Sequence, residues 1–566
     1  MEARAPLAWM IGIASIQGFA LYGLYRSIEI DVWPATSRTW LIGLLVLAIF
    51  VPLVTLLTVT RNNVTRLSQG LGLLSAIVAM CGFYTGWVVS QPEASFQWSI
   101  ATFFSLSIVV GVFHASLYIQ CHANNEPLHY SRLFTYSWRT FLTVVMSIGF
   151  AGGVCLVLAL WAALFSTVGV DLFDDLFWND WFLIPVLTTA FGLAVSIFRN
   201  LSQVIDSVTR LLEGLIRLLL PLIATVAVMF LATMPFVGLK PLWNTGNGTI
   251  LLMALTALSL FFVNAVYQSS EDAGPYPKAV SLLIMLGLLS LPIYSTLSFY
   301  GLWLRVDAYG WTVGRCWAMV IWLILALFSV GYAAGIVLHR LNWPVMLSKT
   351  NVYLGWGVVL LAFLPNTPVL DFRSISLSSQ VARVAQGEIS WSEFDFYYTQ
   401  HHLGRVGYQH AEELKLKFSN DEDLVKLIED PPSPVYRASV PNVPKENIFA
   451  RVHFSGPDFP IPEEVKRAYR SHGLERDQLD LLALKVDVTR DEIDDYILIG
   501  HDQDYIDHSV VVYAVGGSWQ VIRLTPVPAN THDLLKSLNA KVRVTPPIVD
   551  ELSIGDIRFL PTQQAD

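Results

Sequence analysis

The chain has 566 residues, 54% of them hydrophobic and only 14% charged, with a net charge of −9. A charged fraction so far below the roughly 25% of soluble domains excludes a wholly water-soluble protein. The acidic balance also gives no footing for nucleic acid. Residues 1–371 carry 16 basic and 15 acidic side chains, whereas residues 372–566 carry 20 and 30. The expected organisation is a transmembrane helical domain (1–371), a helical juxtamembrane segment (372–430), a proline-rich linker (431–445) and a soluble α+β domain (446–566).

In chain order, eleven apolar runs approach the ~20 residues needed to cross a ~30 Å hydrocarbon layer. They fall near 7–25, 40–59, 71–90, 100–120, 141–167, 181–198, 216–235, 249–267, 279–303, 314–338 and 351–369. The first lacks a small-x-small cleavage site and reads as a retained span, not a signal peptide. The last is interrupted by Pro365, Asn366 and Pro368. The expected fold is thus an α-helical polytopic bundle of about eleven spans with a C-terminal α+β domain. Cys81, Cys121, Cys155 and Cys316 all lie in the apolar part and in no CxxC spacing, so neither disulfides nor zinc is expected.

Basic residues mark the cytoplasmic loops of membrane proteins. The links after even-numbered spans hold Arg61, Arg66, Arg132, Arg139, Arg199, Arg210, Lys278, Arg340 and Lys349, with Arg217 opening span 7. The links after odd-numbered spans hold Arg26, Arg38, Lys240, Arg305 and Arg315. This bias predicts a cytoplasmic N-terminus and, with an odd span count, a periplasmic C-terminal domain. Two basic stretches, 130–141 and 200–219, read either as interfacial helices or as extensions of the next span. Arg132, Arg139, Arg210 and Arg217 would there meet anionic lipid head groups.

Within the spans, ionisable side chains are almost absent near the middle. His114 and Asn264 are the main polar exceptions. An intramembrane ionisable group is a functional candidate, but His114 reads better as bonded to a neighbouring helix than as a proton carrier. Asn264 reads as an interhelical hydrogen-bonding group. The glycines of "GFAGG" (149–153) suggest a close helix contact. No phosphate-binding or kinase motif appears.

Two outer links carry opposite charge. "DLFDDLFWNDWF" (171–182) holds Asp171, Asp174, Asp175 and Asp180, and "LRVDAYGWTVGRCW" (304–317) holds Arg305, Asp307 and Arg315. One reading pairs the aspartates with the arginines in an outer-rim network. The other leaves each loop separately solvated, with its rings in the aromatic belt. Thr312 suits the N-cap of span 10.

These stretches also carry a resemblance. "DLFDDLFWNDWFLIPVLTTAFGLAVSIFRN" resembles the central part of a widespread family of uncharacterised bacterial polytopic inner-membrane proteins, a domain of unknown function. Arg305, Tyr309, Gly310, Thr312 and Arg315 are similar to its R-x-x-x-Y-G-x-T-x-x-R pattern, and residues 377–414 to the segment after its last span. The resemblance implies membrane location and architecture, and lends no catalytic residues.

Beyond span 11, Ser378 or Ser379 is expected to cap a helix that Gly387 stops. His401, His402 and His410 invite a metal reading, but adjacent helical histidines point about 100° apart and do not converge. In the last domain, six stretches within 448–561 are expected as strands, one of them folded back by a turn at Gly516-Gly517, with helices at 461–474 and 531–539. Asp487, Thr489, Asp491 and Asp495 sit at the spacing of a calcium loop between two strands. The loop lacks the turn glycine and reads as a relic of such a site. No cofactor and no catalytic constellation are expected. The leading expectation is a non-enzymatic envelope scaffold or sensor that displays a periplasmic module to an envelope protein partner. The alternative is a transporter or lipid flippase with a path through the bundle.

Overall fold

In a computed structural model, the structure describes residues 6–90, 98–244, 246–268, 275–429 and 431. Beyond these it describes 449, 452–454, 459–471, 480–487, 494–501, 506–515, 518–524, 552–554 and 557–559. The chain divides into two compact units, Met1–Ile428 and Glu429–Asp566.

The first unit is built on eleven helices long and apolar enough to cross a membrane. They are α1 (Leu7–Glu29), α2 (Arg38–Thr58), α3 (Val64–Val88), α4 (Trp98–Ala123), α5 (Tyr130–Thr167), α7 (Asp180–Asn200), α8 (Ser202–Val237), α10 (Gly248–Val266), α11 (Lys278–Tyr309), α12 (Val313–His339) and α13 (Pro344–Phe363). Short helices α6 (Leu172–Phe177) and α9 (Lys240–Asn244) lie between spans. The basic stretches 130–141 and 200–219 are extensions of the following spans: α5 runs 38 residues and α8 runs 36 without a break. At 1.5 Å per residue each is about 55 Å long, well beyond a ~30 Å hydrocarbon layer. Pro365, Asn366 and Pro368 end the last span as tight turns, and buried Asn366 donates to Ser107 Oγ at 2.8 Å.

Close helix contacts lie where glycine removes a side chain, but not at 149–153. A Cβ at Gly149, Gly152 or Gly153 would meet nothing within 4 Å. A Cβ at Gly335 would sit 2.8 Å from Met346 Cβ, and one at Gly331 2.6 Å from Thr350 Cγ2, so α12 and α13 approach through a G-x-x-x-G of their own. Gly18 and Gly192 play the same part between α1 and α7, where a Cβ would overlap Pro185 and Ala14 respectively.

Hydrogen bonds define the two ends of the bundle. At the arginine-rich end, Arg199 donates to Leu56 O and Val59 O, Asn63 to Asn124, and Arg139 faces Asp206 at 3.4 Å. At the opposite end, α14 (Phe372–Ala385), α15 (Phe396–His402), α16 (Gly404–Lys417) and α17 (Glu422–Glu429) form a cap with its own apolar centre at Phe394, Phe396, Ala411 and Leu414. The α14 cap residue is Asp371, not Ser378 or Ser379: its carboxylate accepts from Arg373 N at 3.1 Å. Gly387, at φ +76°, follows the helix end as expected.

The second unit is an α+β fold. Strands β1 (Val452–Phe454), β2 (Asp480–Val486), β3 (Asp495–His501), β4 (Ile506–Val515) and β5 (Ser518–Leu524) form one sheet in that order. β1 and β2 are parallel and the other pairs antiparallel. Helix α18 (Glu463–Ser471) lays Val465 and Tyr469 on the face bearing Leu481, Ala483, Leu498, Val510 and Val512. The period-two alternation of these residues is what buries one sheet face. β6 (Leu552–Ile554) and β7 (Ile557–Phe559) pair as a hairpin. The expected turn at Gly516-Gly517, the strand at 541–546 and the helix at 531–539 lie outside the described residues.

Candidate functional site

The two intramembrane polar residues legible in the sequence line one cavity. It has a volume of about 440 Å³ and lies among α4, α5, α10, α12 and α13. Counted along the helices at 1.5 Å per residue, Asn264 is about 3 Å from the arginine-rich end of α10 and His114 about 14 Å from that end of α4. The cavity therefore reaches from one interface towards the middle of the bilayer. Phe141 and Phe261, which line it, are 51% and 52% exposed, so its wall reaches the outer surface of the bundle.

A cluster of neutral polar groups closes its inner wall. Asn264 Oδ1 accepts from Asn351 Nδ2 at 2.8 Å and lies 2.6 Å from the Tyr332 hydroxyl. Tyr332 Oη is also 2.7 Å from Asn351 Oδ1. One hydroxyl proton faces two amide oxygens, so it serves one at a time. The Tyr130 hydroxyl donates to the Asn264 carbonyl at 3.1 Å. Four helices are thus stitched together at one depth, in a low dielectric where such networks are strong. Asn264 fulfils its expected interhelical role. His114 does not bond a neighbouring helix: its Nδ1 lies 3.0 Å from Val110 O one turn earlier in α4. A carbonyl only accepts, so Nδ1 carries the proton and Nε2 is left as an acceptor. On the α13 side, Tyr118 donates to Val352 O at 3.0 Å and packs at a tilt against Trp356. Gly355 makes room for it, since a Cβ there would overlap the Tyr118 hydroxyl.

Tyr130, Tyr332 and Asn351, which join Asn264 in this cluster, were not singled out in the sequence. Asn351 stood at the start of an apolar run and looked like a boundary. The signal was depth: all three lie within about 11 Å of the arginine-rich helix ends, level with Asn264.

The outer-rim pairing is not formed. Arg305 donates to Gly246 O, and Arg315 donates to the Tyr309 and Gly310 carbonyls and lies over the Tyr309 ring. Asp171 accepts from Ser166 at 2.9 Å, Asp180 lies against the Tyr25 hydroxyl, and Asp174 and Asp175 occupy the first turn of α6. Asp307 is exposed. The cause is position: the acidic loop belongs to the α1–α5–α7 side of the bundle, whereas 304–317 is covered by the cap. The rings of the acidic loop pack on one another, with Phe173 and Phe177 against Trp161.

Residues 308–313 instead form a seat for α14 and α15. Trp311 N donates to Ser379 Oγ at 2.9 Å and Val313 N to the Tyr398 hydroxyl at 2.9 Å. Gln380 Nε2 reaches the Tyr309 and Trp311 carbonyls at 3.0 and 3.1 Å, Ser376 donates to Trp311 O, and Arg383 to Ala308 O. Gly310 sits at φ +70°, ψ 179°, a region essentially reserved for glycine. Thr312 caps α12 by accepting from Arg315 N at 3.4 Å. Asp371 and Arg373, both buried, face each other at 3.4 Å at the root of the cap.

The remaining candidates are dispersed. His401 binds its own helix at Tyr397 O, His402 stacks on Tyr398, and His410 lies 3.8 Å from Glu413. Among the described residues no three metal-ligating side chains converge. Burial holds the His402 and His410 imidazoles below their ordinary value, with His401 adding to the effect on His402. In the expected calcium loop, Asp487 directly follows β2 and Asp495 opens β3, so the stretch does join two antiparallel strands. Thr489 and Asp491 lie outside the described residues. At the arginine-rich end, Arg132 faces Glu126 at 3.8 Å, Arg210 lies 3.5 Å from Ser207 Oγ, and Tyr276 donates to the Arg217 carbonyl.

No curated protein and no solved structure matches the chain significantly. Residues 32–414 match a domain of unknown function, DUF4153, which takes in ten of the eleven spans, the cavity, the seat and most of the cap. On that match, covering well over half of its length, the chain belongs to the DUF4153 family of proteins.

Proposed function

We propose that the protein is a non-enzymatic, multi-pass protein of the bacterial inner membrane that displays residues 429–566 in the periplasm to an envelope partner. The observation that carries this reading is the seat. Five side chains of the cap, from Ser376, Ser379, Gln380, Arg383 and Tyr398, hold backbone groups of 308–313. Such a clamp fixes the cap to the bundle, and the second unit follows the cap in sequence. The arginine bias supports a cytoplasmic N-terminus and a cap on the periplasmic face. Arg132, Arg139, Arg210 and Arg217 then face the leaflet whose anionic head groups attract them.

Fusions of alkaline phosphatase and of green fluorescent protein after residue 566 test the side. Phosphatase activity without fluorescence supports the reading, and fluorescence alone overturns it. In-cell crosslinking from the second unit of the full chain then reads whether an envelope protein is held there.

A second reading, transport or lipid flipping, is favoured by the cavity. Its polar atoms lie in the half of the bundle nearer the arginine-rich end, which suits binding from one leaflet more than passage across both. Substrate-dependent flux in proteoliposomes would make transport the better account.

A further inference from the structure

We infer that the lateral cavity is a binding site for one neutral bilayer compound that presents a carbonyl oxygen on an apolar body. The volume of about 440 Å³ falls within the roughly 300–1,000 Å³ of small-molecule sites. The walls are mostly aromatic and aliphatic, and among the described residues no Lys, Arg, Asp or Glu lines them. A charged head group would lose its hydration there without a counter-charge, which disfavours it strongly. Phe141 and Phe261 line the cavity and are half exposed on the apolar surface of the bundle, which fits sideways entry from a bilayer.

The polar wall specifies the recognising chemistry. Asn264 receives its neighbours' hydrogen bonds on Oδ1 and on its backbone carbonyl. Among the described residues both Nδ2 protons are left without an acceptor, on a residue that lines the cavity. An amide N–H₂ held in an apolar enclosure asks for an acceptor, and the one an uncharged amphiphile carries most simply is a carbonyl. His114 Nε2, deeper in the same cavity, accepts a hydrogen bond and gives room for a hydroxyl on the same compound. Two bilayer components share this chemistry: the ester carbonyl of a glycerolipid and the ring carbonyl of an isoprenoid quinone. The second would also stack on the aromatic walls.

The test uses the full-length protein, delipidated in detergent, with native mass spectrometry counting bound molecules. The probes are an ester-linked diacylglycerol, its ether-linked analogue without carbonyls, and a short-chain quinone. One molecule per chain is expected. If it is a glycerolipid, the ester form binds about tenfold more tightly than the ether form, the value of a hydrogen bond whose loss strands a buried donor. If it is a quinone, the quinone binds and neither glycerolipid competes. Equal binding of ester and ether forms without quinone binding, or binding of none of the three, overturns the proposal.

Two variants locate the site. Val358→Trp fills the cavity from its wall without touching the polar cluster, and Asn264→Leu removes the donor. Each should lower binding about tenfold or more, and unchanged binding in both would place the ligand elsewhere. The wild-type comparison of ester, ether and quinone stands even where a variant fails to fold.

Discussion

Gly310→Ala is the sharpest perturbation of the seat. At φ +70° and ψ 179° an alanine pays roughly 1–3 kcal/mol of backbone strain. Its Cβ would also lie 2.8 Å from Gln380 Nε2, 3.0 Å from Arg383 Cδ and 3.0 Å from Ser379 Oγ. These are the side chains that bond the Tyr309, Trp311 and Ala308 backbone. Displacing even two such bonds costs a further 1–3 kcal/mol or so. The combined effect, about 2–6 kcal/mol, acts on local opening of the cap, because α14 closes on this loop. At 1.4 kcal/mol per tenfold, amide exchange of residues 372–385 should accelerate by at least about 30-fold in nanodiscs. The spans should exchange as before. The control lies four residues away. A Cβ at Gly314, in the first turn of α12, meets nothing within 4 Å. Gly314→Ala should therefore leave cap exchange unchanged. Equal exchange in the two variants would refute the argument that the Gly310 geometry holds the seat.

Other consequences follow from the same contacts. Arg305→Ala and Asp174→Ala should be additive in a double-mutant cycle within about 0.5 kcal/mol, since the two sites share no partner. A larger coupling energy in detergent unfolding would restore the rim pairing. Gly335→Leu should lower thermal stability by roughly 1–3 kcal/mol through overlap with Met346, whereas Gly152→Leu should be silent; equal effects would contradict the α12–α13 contact. The cap should weaken in acid. His402 and His410 have folded pKa values below the ordinary His value, so the unfolded chain binds the more protons. Their stabilising contribution is therefore full above about pH 6.5 and is lost as pH falls below it. Asp395 near His402 and Glu413 near His410 oppose the shift, and His401 and Lys417 reinforce it. Cap exchange at pH 7.5 and 5.5 measures the effect, and the double variant His402→Gln/His410→Gln should flatten it. An unflattened profile would assign the acid sensitivity to other groups.

The membrane architecture was legible because hydrocarbon imposes a length rule on local sequence. A run near 20 apolar residues needs no knowledge of its neighbours to be read as a span. All eleven runs became helices, and the caps at Thr312 and the stop at Gly387 were equally local. Pairing was not legible. Arg305 and the aspartates of 171–182 had matching charge and the same predicted face. Which hairpins stand side by side depends on packing between distant spans, and charge on separate loops does not decide it. The glycine contact was misplaced for a like reason: G-x-x-x-G at 149–153 faces outward, and the same spacing at 331–335 faces a helix.

By itself the sequence determined the span count, the arginine-rich end and the two polar intruders, His114 and Asn264. Each of these follows from a local balance of apolar and polar atoms against the bilayer. Only the tertiary structure decided that the two line one cavity, that Tyr130 and Asn351 line it with them while Tyr332 bonds Asn264 and Asn351, and that the Tyr309–Thr312 stretch holds the cap and not the acidic loop. Those results need residues as far apart as 130 and 264, or 313 and 398, to meet, and only the packing of whole helices brings them together.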